Sequence, residues 1–101
     1  MALKIKINNN NDFETAQKFI FENNGVWFSG DQNIVTISNI KKENFDVFGV
    51  KVDYDDIDYS GNKVIYLTYF ESEYDFNEDL GKEITLNELL VIENLTENLA
   101  N

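Results

Sequence analysis

The 101-residue chain contains no cysteine, histidine, arginine or proline, and each absence closes off some chemistry. Without cysteine there are no disulfides, no thiolate zinc site and no thiol nucleophile. The side chain that most often moves protons near neutral pH is missing, and so is the bidentate clamp for phosphates and carboxylates. Acyl-transfer triads and phosphoryl-transfer clamps are therefore not expected, and no glycine-rich phosphate loop of the G-x-x-x-x-G-K-[ST] or G-x-G-x-x-G kind is present. No run approaches the ~20 apolar residues that span a bilayer. Met1-Ala2-Leu3-Lys4 lacks the apolar stretch of a secretory signal, so a cytoplasmic location is the expectation.

What is present is a foldable composition with a lopsided charge. Hydrophobic residues make up 43%, including eight Phe, five Tyr and one Trp, too apolar for a disordered acidic tail. The length suits a single domain spanning 1–101. Residues 1 to 52 balance six lysines against six acids, whereas residues 53 to 101 set thirteen acids against Lys63 and Lys82, so the whole net charge of −11 lies in the second half. A pI near 4.1 argues against direct binding of nucleic acid or of anionic membranes, which both recruit cations.

Periodicity supplies the elements. Leu3, Ile5 and Ile7 alternate with Lys4 and Lys6 as in a strand. Asp12 is placed to cap a helix running to about Asn24, with Gly25 at its left-handed end. Phe21 lies off the apolar stripe of that helix and is read as the edge of a wide core face. Val26 to Ser29 and Ile34 to Ser38, separated by Gly30-Asp31-Gln32-Asn33, read as a hairpin. A second hairpin joins strands 50–59 and 62–70, the latter apolar on both sides and hence central; with Ser60-Gly61 as its loop, Asp58 faces Lys63. Glu71 to Asp79 reads as an acidic loop or edge. Thr85-Leu86-Asn87-Glu88 matches a capping box that opens a C-terminal helix, with residues 96–101 expected to fray. The fold class expected is α+β: a largely antiparallel sheet of about five strands, the 12–24 helix packed on one face, and a short C-terminal helix.

Three motifs compete to explain the acids. Asp56-Ile57-Asp58-Tyr59-Ser60-Gly61 opens like a calcium loop, but the closing glutamate position holds Leu67, and Asp, Ser and Gly favour turns for backbone reasons alone. A two-carboxylate hydrolase is not specified by any spacing, since nineteen acids always place some pair at a suitable distance. No catalytic residue, metal or cofactor is assigned. The third reading is a surface pattern: Asp53, Asp55, Asp56 and Asp58 form one cluster, and Glu71, Glu73, Asp75, Glu78 and Asp79 another. A 62–70 strand, about 25 Å long at ~3.3 Å per residue, would separate them. Duplex DNA carries one charge per ~1.7 Å of axis, and a groove built for it would accept a fixed row of carboxylates. Tyr54, Tyr59, Tyr69, Tyr74 and Phe76, interleaved with the acids, would serve as aromatic anchors.

The stretches Phe21-Glu22-Asn23-Asn24-Gly25, Val26-Trp27-Phe28-Ser29-Gly30 and Ile84-Thr85-Leu86-Asn87-Glu88-Leu89-Leu90 resemble a layout found in small phage-encoded proteins. In size and acidity the chain also resembles phage inhibitors of bacterial immunity, of the anti-CRISPR and anti-restriction types that mimic DNA. The resemblance implies a stoichiometric, non-enzymatic inhibitor acting in an infected bacterium. Its partner would be a basic nucleic-acid-binding protein, such as a defence nuclease, with no direct nucleic-acid or membrane contact. Two other classes fit the residues: a protein that docks through an apolar patch such as Phe21, Phe45 and Phe48, and a small-ligand sponge using Trp27, Phe28 and Tyr66.

Overall fold

A computed structural model describes residues 2–40, 47–54 and 61–100. Within them the order is β1 (Ala2–Lys6), α1 (Asn10–Glu22), β2 (Val26–Trp27), α2 (Ile37–Ile40), β3 (Gly49–Asp53), β4 (Tyr66–Phe70), α3 (Glu73–Glu78), β5 (Lys82–Ile84), α4 (Leu86–Leu90) and α5 (Leu95–Ala100). The five strands form one sheet in the order β2-β4-β3-β1-β5. β3 runs antiparallel to β1 and to β4, whereas β1 is parallel to β5 and β2 is parallel to β4. The α+β class holds, but the sheet is mixed and not largely antiparallel.

The parallel pairs have a topological cause. A helix between two strands returns the chain in its starting direction, which a tight hairpin cannot do. α1 carries the chain from β1 past β3 and β4 to the β2 edge, and α3 carries it from β4 past β3 and β1 to the β5 edge. These crossovers run in opposite directions on opposite faces of the sheet, so they share one hand.

Alternation along the strands sorts the two faces. Leu3 pairs with Val52, Ile5 with Val50, and Val52 with Leu67. These side chains join Phe13, Ala16 and Ile20 of α1, Leu89 of α4, and Leu95 and Leu99 of α5 in the main core. The other face carries Lys4 opposite Lys51, Lys6 opposite Gly49, and Thr68 and Phe70 of β4.

Several local expectations are corrected. Asn9, not Asp12, caps α1, its side chain accepting from the Asp12 amide at 2.8 Å; Asp12 sits in the first turn, where its charge favours the helix dipole. The left-handed residue after α1 is Asn24, at φ 68°. No strand forms at 34–38. The polar loop before it bonds to itself, Asp31 accepting from the Ser29 hydroxyl at 2.5 Å and the Asn33 amide at 3.0 Å. The fully buried Gln17 of α1 then takes the place of a neighbouring strand: its Oε1 accepts from Val35 N and its Nε2 donates to Val35 O, both at 2.8 Å. One side-chain amide thus satisfies a backbone donor and acceptor.

In the second hairpin β3 and β4 pair with Asp53 opposite Tyr66, two residues from the register that an Asp58–Lys63 pairing implies; Asp58 itself lies outside the described residues. A two-residue offset keeps every side chain on its face. β4 is an interior strand between β2 and β3, and the centre of the sheet is β3. Thr85 and Glu88 form the reciprocal capping box, both bonds at 3.1 Å. The helix it opens stops at Leu90, and Asn94 caps a new one by accepting from Glu97 N at 3.0 Å. That restart buries Leu95 and Leu99, so the helix is docked through Leu99 where fraying from Thr96 onward was expected.

The Gln17 arrangement gives a direct test. Gln17→Leu keeps the bulk but leaves both polar groups of Val35 without their partner, and urea denaturation should show a loss of about 1–3 kcal/mol.

Candidate functional site

The stretch read as an acidic loop is a short helix lying across the lysine face of the sheet. Ser72 caps it, its Oγ accepting from the Asp75 amide at 3.1 Å, and Glu73 and Asp75 lie in the first turn, where negative charge suits the helix N-terminus. The sequence carried this signal, a Ser followed three residues later by an acid, but charge density masked it.

Phe76 fastens α3 to the sheet. Its ring is fully buried and meets Phe48 and Phe70 edge-on, both at 5.3 Å between centroids. Gly49 makes room: a Cβ there would lie 2.7 Å from the Phe76 ring and 2.8 Å from the Ile5 carbonyl oxygen. Lys4, only 7% exposed, reaches up beside the ring with its Nζ 4.8 Å from the centroid. Its ammonium donates to the carbonyl oxygens of Phe76 at 2.6 Å and Asp79 at 2.9 Å. These carbonyls lie at the helix C-terminal end, where acceptors lack intrahelical partners and a cation complements the dipole.

Asp79 completes the clamp. One carboxylate oxygen accepts from Lys51 Nζ at 2.8 Å, and the other accepts from the Gly81 amide at 2.8 Å. Burial pushes its carboxyl up, but the Lys51 hydrogen bond, the Gly81 amide and the charges of Lys51 and Lys4 outweigh that and hold it below the ordinary 3.8. Lys4 and Lys51 are cross-strand neighbours, a repulsive pairing in isolation; the α3 carbonyls and Asp79 supply the compensating negative charge.

With its underside committed, α3 turns the remaining acids outward. Glu71, Glu73, Asp75 and Glu78 are exposed, and none is ion-paired among the described residues. Tyr74 is 71% exposed beside them, and Leu80, in the turn after the helix, is fully exposed. Of the residues expected to bind a partner, Glu73, Tyr74, Asp75 and Glu78 on α3 and Glu71 just before it are exposed. Asp79 and Phe76 are not: Asp79 is tied to Lys51 and Gly81, and Phe76 is the buried anchor beneath, because a ring on a six-residue helix is the main apolar surface it can dock with.

The first acidic cluster is only partly placed. Asp53 is half-buried on β3 opposite Tyr66. Tyr54, half-buried, packs against the main core with Lys63 Nζ 5.8 Å from its ring centroid. Asp55, Asp56, Asp58 and Tyr59 lie outside the described residues, and with them most of the calcium-like segment. Among the described residues no group of three or more potential ligands could hold a metal ion, and no helix is long and apolar enough to cross a membrane. The apolar patch is divided: Phe21 meets Trp27 edge-on at 6.0 Å, Phe48 belongs to the Phe76 cluster, and Phe45 is not described.

Comparison with known proteins returns no matching family, no matching curated protein and no matching solved structure.

The Asp79 clamp makes stability depend on acid in a defined sense. A carboxyl lowered by folding stabilises the native state above its unfolded pKa, and that contribution is lost as pH falls through the lower folded value. Urea unfolding of the wild type and Asp79→Asn should therefore show the largest stability difference above about pH 4, shrinking as the pH falls below it. A difference that stays constant across this range would contradict the clamp.

Proposed function

We propose that the chain is a non-enzymatic binding protein that inhibits its partner by occupying a basic nucleic-acid groove, with the outer side of α3 standing in for phosphates. The observation that carries this reading is the division of labour on α3: lysines and an aromatic ring hold it from below, while Glu73, Asp75 and Glu78 on the helix and Glu71 just before it stand exposed. A six-residue helix is about 9 Å long at ~1.5 Å per residue. Over the same length duplex DNA presents about five charges, so the three exposed carboxylates of the helix, with Glu71 just before it, approximate a short stretch of phosphate backbone.

Fixing the acids on a docked helix also matters energetically. Mobile carboxylates lose side-chain and backbone freedom when a groove captures them, whereas a pre-ordered row loses less. Tyr74 and Leu80 add exposed apolar contacts of the kind that anchor an interface within a charged surround. Charge complementarity of this sort raises the association rate and makes binding salt-sensitive. The partner class that fits, in line with the resemblance to phage inhibitors, is a bacterial defence nuclease, of the CRISPR type first and the restriction type next.

The test uses the intact chain and its triple variant Glu73→Lys, Asp75→Lys, Glu78→Lys, all at exposed positions. Each is immobilised, exposed to bacterial lysate and eluted with a salt gradient, and the captured protein is then assayed for binding a labelled DNA duplex. The expected outcome is stoichiometric displacement of the duplex by the wild type, with the variant weaker by about 100-fold or more. Equal capture by the variant, or a captured protein that binds no nucleic acid, would overturn the proposal.

A further inference from the structure

β2 pairs with β4 over only two residues, and where it ends the chain leaves a cleft of 370 Å³ at that edge of the sheet. Its volume lies at the low end of the range for small-molecule sites, about 300–1,000 Å³, a size suited to one side chain. Phe28 and Tyr69 supply aromatic surface, Trp27 adds the 9% of its surface that the core leaves uncovered, and Thr68, Asp31 and Glu71 supply oxygen acceptors. The Trp27 and Tyr69 rings stand nearly perpendicular, at 87° with centroids 6.3 Å apart, forming a corner. Phe28 is 70% exposed and held by Tyr66 at 5.3 Å. No lysine is among the described lining residues.

Aromatic faces joined to carboxylates select organic cations, because the ring quadrupole attracts positive charge and the acids add a direct counter-charge. The polar end of Trp27 is already used, its Nε1 donating to the Asn33 carbonyl at 2.8 Å. The Asp31 carboxylate is pre-set by the Ser29 hydroxyl and the Asn33 amide, which hold it below its ordinary pKa. Glu71 makes no described hydrogen bond and is exposed, so it can turn toward a ligand.

We infer that this cleft receives an arginine side chain of the partner protein, its planar guanidinium against the Trp27–Tyr69 corner and its N–H groups toward Glu71, Asp31 and Thr68. Among cationic side chains arginine fits best, since its flat, weakly hydrated group stacks on rings while its fork bonds to carboxylates. Glu71 also joins the cleft to the acidic surface of α3, so a basic groove that covers the helix brings its own arginines to the cleft. The inference rests on the proposed docking to a basic protein, but the cleft can be examined alone.

Trp27 is the one tryptophan of the chain and lines the cleft, so its fluorescence reports occupancy directly. The full chain is titrated with N-acetyl-arginine amide at constant ionic strength, with the uncharged isostere N-acetyl-citrulline amide in parallel. A saturating response to the arginine compound is expected, with the citrulline compound weaker by about 10-fold or more and Glu71→Gln weakening the arginine response several-fold. A linear response, or equal responses to both compounds, overturns the inference. The triple α3 variant should titrate like the wild type. Failure of the arginine titration alongside charge-dependent capture would remove the cleft inference and leave the acidic-helix reading standing.

Discussion

The Lys4 ammonium holds α3 against the sheet. It lies on the sheet face opposite the main core, nearly cut off from solvent, and it would be costly there without partners. The carbonyls of Phe76 and Asp79 are those partners, and they exist only because α3 crosses the sheet. The same contact works in both directions: the helix end gains a cation for its unpaired acceptors, and the cation gains two short hydrogen bonds. Lys51 and Asp79 extend this into a small network around the Phe76 ring. Each component requires the others, and the acidic segment becomes part of the fold through them.

That network explains which parts of the structure were legible from residue patterns. The β1 alternation, the α1 stripe with Phe21 at its edge, and the Thr85–Glu88 box follow from short-range rules, and the structure contains all three. Lys4 and Lys6 alternate with apolar residues as in a strand; nothing local reveals that a helix about seventy residues away covers Lys4. The segment 34–38 has a good strand composition, yet its partner is the Gln17 side chain and not another strand. Mixed sheet topology escaped for the same reason, since helical crossovers and hairpins differ in long-range connectivity while their strands have similar composition.

For the site, the charge asymmetry points to residues 53–79, and the structure divides the described members of that set between buried and exposed positions. Counting acids treats Asp79 like Glu78, although one is held by Lys51 and Gly81 and the other faces solvent. Counting aromatics treats Phe76 like Tyr74, although one is the underside and the other the outside of the same helix. Only a three-dimensional inside and outside separates them. The cleft drew on Trp27 and Phe28, whose hairpin reading concealed that β2 stops after two residues and exposes the edge beyond.

A pre-ordered acidic row requires α3 to be as firmly fixed as the sheet beneath it, and native-state hydrogen exchange measures that most directly. The amides of Phe76 and Asp79 donate to Ser72 and Asp75 within and at the end of the helix. They should exchange with an opening free energy close to that of the β3–β4 ladder, because freeing them means breaking the Lys4 contacts and exposing Phe76. Exchange of these amides orders of magnitude faster than the ladder would show α3 to be a loosely attached loop, and would contradict the idea of a pre-ordered acidic row.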